Sequence, residues 1–243
     1  MEAKKTFKII FFLIALAIII FLSVLFINGR IDSKEVTSDL MPGENVPALN
    51  TEHSQSYQAV NLPVISADDF VSSQEEKSLD LIVYEDYADL FSADFALSLS
   101  QVQSEFGNQV KIAFRPFTVA NSDLSLQSAL AVRCAADAGQ GQAFRDKVFS
   151  AVRENKLTLE SFAIFASELS LNSEEFQVCL TNSEKKEKIG ELMAGAENFS
   201  VYGAPAIFIG DEMIVGARPY EAFTDSNGDE IEGLKQVIER QLK

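Results

Sequence analysis

The chain has two cysteines, one histidine and no tryptophan in 243 residues. A zinc site of cysteine and histidine ligands needs three or four such residues close together. Cys134, Cys179 and His53 lie far apart in the chain, so no metal site is expected. The same shortage excludes a Ser-His-Asp or Cys-His centre unless His53 folds back from its polar stretch. Basic charge is also scarce: 20 Lys+Arg face 36 Asp+Glu, for a net charge of -16. Such a surface repels phosphate backbones and anionic headgroups, which argues against nucleic-acid binding and against peripheral membrane binding. Apolar residues are not lacking. At 47% hydrophobic and 10% aromatic, the composition supports a packed core and argues against a wholly disordered chain.

One apolar run stands out. Residues 9–27 contain a single polar interruption, Ser23, and a helix rising about 1.5 Å per residue over that length spans the roughly 30 Å hydrocarbon layer. Lys4, Lys5 and Lys8 precede it, so the positive-inside rule predicts a cytoplasmic tail over 1–8, a transmembrane anchor over 9–28 and an extracytoplasmic remainder. A cleaved signal peptide would have a shorter apolar region followed by small residues at the cleavage site. Leu25-Phe26-Ile27-Asn28-Gly29 does not offer that spacing. Residues 29–64, with Pro42, Gly43, Pro47 and Pro63, read as a linker, and 65–243 as the folded domain.

Ser66-Ala67-Asp68-Asp69 has the pattern of a helix start. Leu79 to Tyr84 reads as a buried strand, and Phe95, Leu99, Val102 and Phe106 fall on one face of a helix over 92–106. A second strand runs from Val110 to Arg115. The stretch 123–199 has helix starts at Asp123, Thr158, Ser173 and Ser183 and no strand signal, which predicts four or five helices. A hairpin over 206–215 and a closing helix over 231–242 complete the order. This β-α-β, helical block, β-β-α order predicts an α/β thioredoxin fold with an all-helical insertion. The polar run 225–230 suggests a calcium loop at first sight, but its glycine is misplaced for one and it reads as a surface turn.

Ile82-Val83-Tyr84-Glu85-Asp86-Tyr87-Ala88-Asp89-Leu90-Phe91-Ser92, Phe114-Arg115-Pro116-Phe117, Cys134-Ala135-Ala136, Gly203-Ala204-Pro205 and Gly216-Ala217-Arg218-Pro219-Tyr220 occur in that order. The set resembles the DsbA-like thioredoxin family of bacterial extracytoplasmic thiol-disulfide oxidoreductases. Chemistry in that family rests on a Cys-x-x-Cys at a helix N-terminus, where unpaired N–H groups stabilise a thiolate. Here Asp89 and Ser92 occupy the two cysteine positions, and Val83 stands where the family often has a buried acid.

Asp89 then reads as a helix N-cap. Ser92 lacks a histidine or lysine that would activate it as a nucleophile. Glu85, Asp86, Asp89 and Asp94 read as solvated acids at a strand end and a helix start rather than as acid-base or cation-binding groups. The resemblance implies a cis Ala204-Pro205 bond. It also implies a substrate groove formed by Leu90, Phe91, Ala204 and Pro205, in which an extended chain pairs with the backbone.

Cys134 and Cys179 are 45 residues apart and, in an oxidising compartment, read as a structural bridge. Two buried free thiols or a catalytic dithiol are the alternatives. The expectation is therefore a membrane-anchored, extracytoplasmic, redox-inactive module that binds extended protein segments, with no cofactor. The rival expectations are a thiol-disulfide oxidoreductase, as the family implies, and a structural envelope component.

Overall fold

The computed structural model describes residues 54–59, 61–118 and 122–243. Among these no helix is long and apolar enough to cross a membrane. The anchor expected over 9–28, the cytoplasmic tail and His53 lie outside the described residues.

In chain order the elements are β1 (Gln55–Gln58), β2 (Phe70–Val71), β3 (Leu79–Glu85), α1 (Leu90–Phe106) and β4 (Val110–Pro116). The helical insertion follows: α2 (Asp123–Asp137), α3 (Gly141–Arg153), α4 (Ser161–Glu168), α5 (Ser173–Leu180), α6 (Ser183–Ala194) and a 3-10 turn over Gly195–Phe199. The chain then closes with β5 (Ala206–Ile209), β6 (Glu212–Val215), a small hairpin of β7 (Phe223–Thr224) and β8 (Glu230–Ile231), and α7 (Leu234–Gln241). Six strands form one sheet in the order β1-β6-β5-β3-β4-β2, in which β3 and β4 run parallel and the other neighbours antiparallel. This is an α/β thioredoxin fold with a helical insertion.

The two-residue period of a strand sends alternate side chains to opposite faces. Leu81 and Val83 pack with Phe95, Leu99, Val102 and Phe106 of α1 and with Leu234, Val237 and Ile238 of α7. Ile82 and Tyr84 point the other way, toward Phe208, Met213, Ala196 and Val201. The α1 face predicted from periodicity is the buried one, and each such side chain removed from water stabilises the fold by about 1.5 to 3 kcal/mol. The insertion has its own core, in which Phe144 meets Phe162, Phe165 and Phe176. Cys134 of α2 and Cys179 of α5 form a disulfide across it, with Cα atoms 5.9 Å apart.

Three expectations need correction. Residues 55–58, placed in the linker, form an edge strand paired with β6. Its residues lack apolar alternation, and it is held instead by Arg218, which donates from Nε to Ser54 Oγ at 2.7 Å and from Nη2 to Ser54 O and Ser56 Oγ, both at 3.1 Å. Ser66 to Asp69 opens no helix. Asp69 accepts from Ser66 N at 2.8 Å, but its carboxylate also takes Nε and Nη2 of buried Arg115, each at 2.8 Å, and the chain turns into β2. Finally, α7 begins at Leu234 rather than 231, because Ile231 pairs with Phe223. Gly233 precedes the helix where an added Cβ would meet Glu221 O and Tyr220 O at 2.4 Å, so the approach requires glycine. Residues 225–229 of the run 225–230 are the turn of that hairpin and Glu230 opens β8, with Asp225 Oδ1 accepting from Asn227 N and Asp229 N at 2.9 Å.

Candidate functional site

The strands β3, β4 and β6 all finish at one end of the sheet, and β5 starts there. Tyr84 is opposite Ala206, so the segment leaving β3 toward α1 and the segment entering β5 emerge side by side. Ends of this kind, where strands deliver loops and a helix N-terminus, are the usual ligand sites of α/β sheets.

The helix N-terminus is closed by its own residues. Asp89 has an extended backbone and its Oδ2 accepts from Ser92 N at 2.7 Å, the expected N-cap. Ser92 is fully buried, and its Oγ accepts from Asp86 N at 3.1 Å. The cap takes up orphan N–H groups that would otherwise be open to an anion. Burial holds the Asp89 carboxyl above its ordinary value of 3.8, against the opposing hydrogen bonds from Ser92. Leu90 and Phe91, the first two helical residues, are 51% and 53% exposed.

In the segment entering β5 the Ala204-Pro205 peptide bond is cis. Pro205 is buried and its carbonyl accepts from Gly216 N at 2.8 Å, where Gly216 has a φ of 90° that favours glycine. Ala204, half-buried, makes no backbone hydrogen bond among the described residues. Tyr202, three residues before the proline, is 72% exposed. An aromatic residue in the loop between the insertion and the hairpin was the available signal for it, and the sequence reading passed over it.

Beneath this surface Glu85 and Asp86 are buried, which corrects their assignment as solvated acids. Glu85 receives two hydrogen bonds from Arg145, Nε to Oε1 at 2.7 Å and Nη2 to Oε2 at 2.6 Å, with both residues 1% exposed. The guanidinium also sits over the rings of Phe114 and Phe149, 4.4 and 4.8 Å from their centroids. Burial opposes its charge, yet the attraction of Glu85 keeps the Arg145 pKa raised. The Tyr87 phenol stands well above its ordinary value, through burial first and the Glu85 charge second. Arg145 was legible as a cation on the apolar face of α3, between Phe144 and Phe149, and such a residue calls for a buried partner.

A family model described as thioredoxin matches residues 69–226, more than half of the chain. The chain belongs to the thioredoxin family. Solved structures with the same fold include a thioredoxin-like oxidoreductase from Silicibacter pomeroyi, 17% identical with a TM-score of 0.59, covering 72% of this chain and 92% of that one. A periplasmic thioredoxin-like protein from Salmonella enterica serovar Typhimurium is 20% identical with a TM-score of 0.59, covering 72% and 90%. The α-DsbA1 of Wolbachia pipientis is 17% identical with a TM-score of 0.56, covering 74% and 93%. The thioredoxin fold of this chain is thus of the DsbA-like kind. No curated protein matches it. In this thioredoxin-family chain both cysteines are joined to each other on α2 and α5, and the helix start carries Asp89-Leu90-Phe91-Ser92.

Proposed function

We propose that this is a membrane-anchored, extracytoplasmic protein of DsbA-like fold that has no dithiol chemistry and holds extended protein segments at the sheet end. The observation that carries this reading is the capped start of α1. A carboxylate and a buried hydroxyl stand at the two positions where the family keeps its thiols, and Asp89 is bonded to Ser92 N at 2.7 Å. Disulfide exchange proceeds by attack of a thiolate through a mixed disulfide, and neither side chain can supply one. The binding surface does not depend on those thiols. Leu90, Phe91 and Tyr202 offer exposed apolar area, and Ala204, with no backbone hydrogen bond among the described residues, supplies a backbone N–H and C=O for pairing with an extended chain. The anchor is supported by the apolar run 9–27 behind three lysines.

A single preparation tests both halves. Full-length protein should stay in the membrane fraction after an alkaline wash and should fail to reduce or oxidise a model disulfide substrate, while a fluorescent unfolded peptide binds and binding weakens in Phe91→Ser. Turnover comparable to an authentic Cys-x-x-Cys relative, abolished by Cys134→Ala, would establish the oxidoreductase reading instead. Release of the full-length protein by the wash would remove the anchor, and absence of both turnover and Phe91-dependent binding would favour a structural envelope role.

A further inference from the structure

Resting on the reading that the sheet end holds extended segments, we infer which ones: apolar segments that carry lysine or arginine, with acidic segments turned away. The apolar part of the surface is Leu90 and Phe91 on the first turn of α1, Leu97 two turns on at 52% exposure, and Tyr202 of the loop that enters β5 at 72%. The side-chain charges carried by α1 and its cap are acidic. Asp89 caps α1, Asp94 is exposed one turn in, and α1 contains Asp94 and Glu105 but neither lysine nor arginine. The loop 200–205 is uncharged, and exposed Glu197 precedes it.

A helix N-terminus ordinarily presents about half a positive charge, which would favour acidic partners. Here the Asp89 carboxylate lies on those N–H groups, at 2.7 Å from Ser92 N, and its full charge reverses the sign of that end. Arg153 reaches α1 from α3, where its half-buried guanidinium donates to Ala93 O at 2.6 Å and offsets part of this acidic charge. Lys156, beyond it, is paired with Glu154 at 2.8 Å. The net charge of -16 adds a long-range field of the same sign. A segment with aliphatic or aromatic side chains beside a lysine or arginine matches both parts of the surface. A glutamate-bearing segment meets Asp89 and Asp94 within a screening length of about 8 Å at physiological salt.

The test uses the full-length protein in detergent and three labelled unfolded peptides of equal length and apolar content, carrying lysines, no charge, or glutamates. Anisotropy should show the lysine peptide binding roughly tenfold more tightly than the glutamate peptide at about 50 mM salt, with the ratio falling toward one near about 0.5 M. In Asp94→Lys, whose side chain is exposed and whose fold is checked by circular dichroism, the ratio should shrink severalfold. Equal affinity for all three peptides, or a ratio unmoved by Asp94→Lys, overturns the charge selectivity and leaves segment binding standing. Failure of every peptide to bind overturns both.

Discussion

Replacing Glu85 by leucine leaves Arg145, 1% exposed, with only the largely exposed Asp146 carboxylate at 3.7 Å from Nη1, and strips two donors of acceptors that lie at 2.7 and 2.6 Å. Removing one partner of a buried pair costs about 3 to 5 kcal/mol. Against a total stability of about 5 to 15 kcal/mol this is a large fraction, and for a domain of this size it lowers the melting temperature by roughly 6 to 20 °C. Arg145→Met loses the same pair together with the contacts to Phe114 and Phe149 at 4.4 and 4.8 Å, and leaves the buried Glu85 carboxylate without a cation, hydrogen-bonded to the Tyr87 phenol. The double variant Glu85→Leu, Arg145→Met removes both charges and fills the space with apolar atoms, so it should return most of the loss. The coupling energy, the difference between the double and the sum of the singles, is then about 3 kcal/mol or more. The chain has no tryptophan, so urea unfolding is followed by far-ultraviolet circular dichroism. A single-variant cost below about 1 kcal/mol, or additivity of the two changes, would refute the view that each charge is tolerated only because of the other.

Breaking the bridge with Cys134→Ala and Cys179→Ala should cost at most about 4 kcal/mol by the chain-entropy relation for a 45-residue loop. Phe176 is the buried side chain of α5, so hydrogen exchange should accelerate first over 173–180, and uniform acceleration across the domain would contradict this. Burial raises the Asp89 pKa above 3.8, so the native state binds more protons than the unfolded state just above that pH, and stability declines as pH rises through the native pKa. Asp89→Asn keeps an N-cap acceptor and should flatten that decline in urea midpoints measured upward from about pH 4. A decline equally steep in the variant would show that it comes from other groups.

What could be read from the sequence was local. Leu79 to Glu85, the buried face of α1 and the hairpin at 206–215 follow from periods of two and 3.6 residues, which the structure retains. Helix starts in the insertion were legible to within a few residues: Asn172 and Asn182 are the caps, each one residue before the serine expected to start the helix. The corrections share a cause. β1 has the sequence Gln-Ser-Tyr-Gln, which contains no strand signal, and it forms because Arg218, more than 160 residues later, binds Ser54 and Ser56. Glu85 reads as a strand-end acid until Arg145, 60 residues on, is brought against it. Asp69 leaves its helix-start pattern for Arg115, 46 residues away. At the candidate site the residue positions came from resemblance, and the closed hydrogen-bonding of Asp89 and Ser92 came from the structure.

The lateral edges of the six-stranded sheet are β1 and β2, four and two residues long, and the first is wholly polar apart from Tyr57. A sheet normally risks growing by recruiting another strand onto its unpaired side, and edges this short give such growth little template. Edge-to-edge growth through the described strands of this sheet is therefore disfavoured. Were the chain to hold extended segments as proposed, its own sheet edges would offer them little template for aggregation.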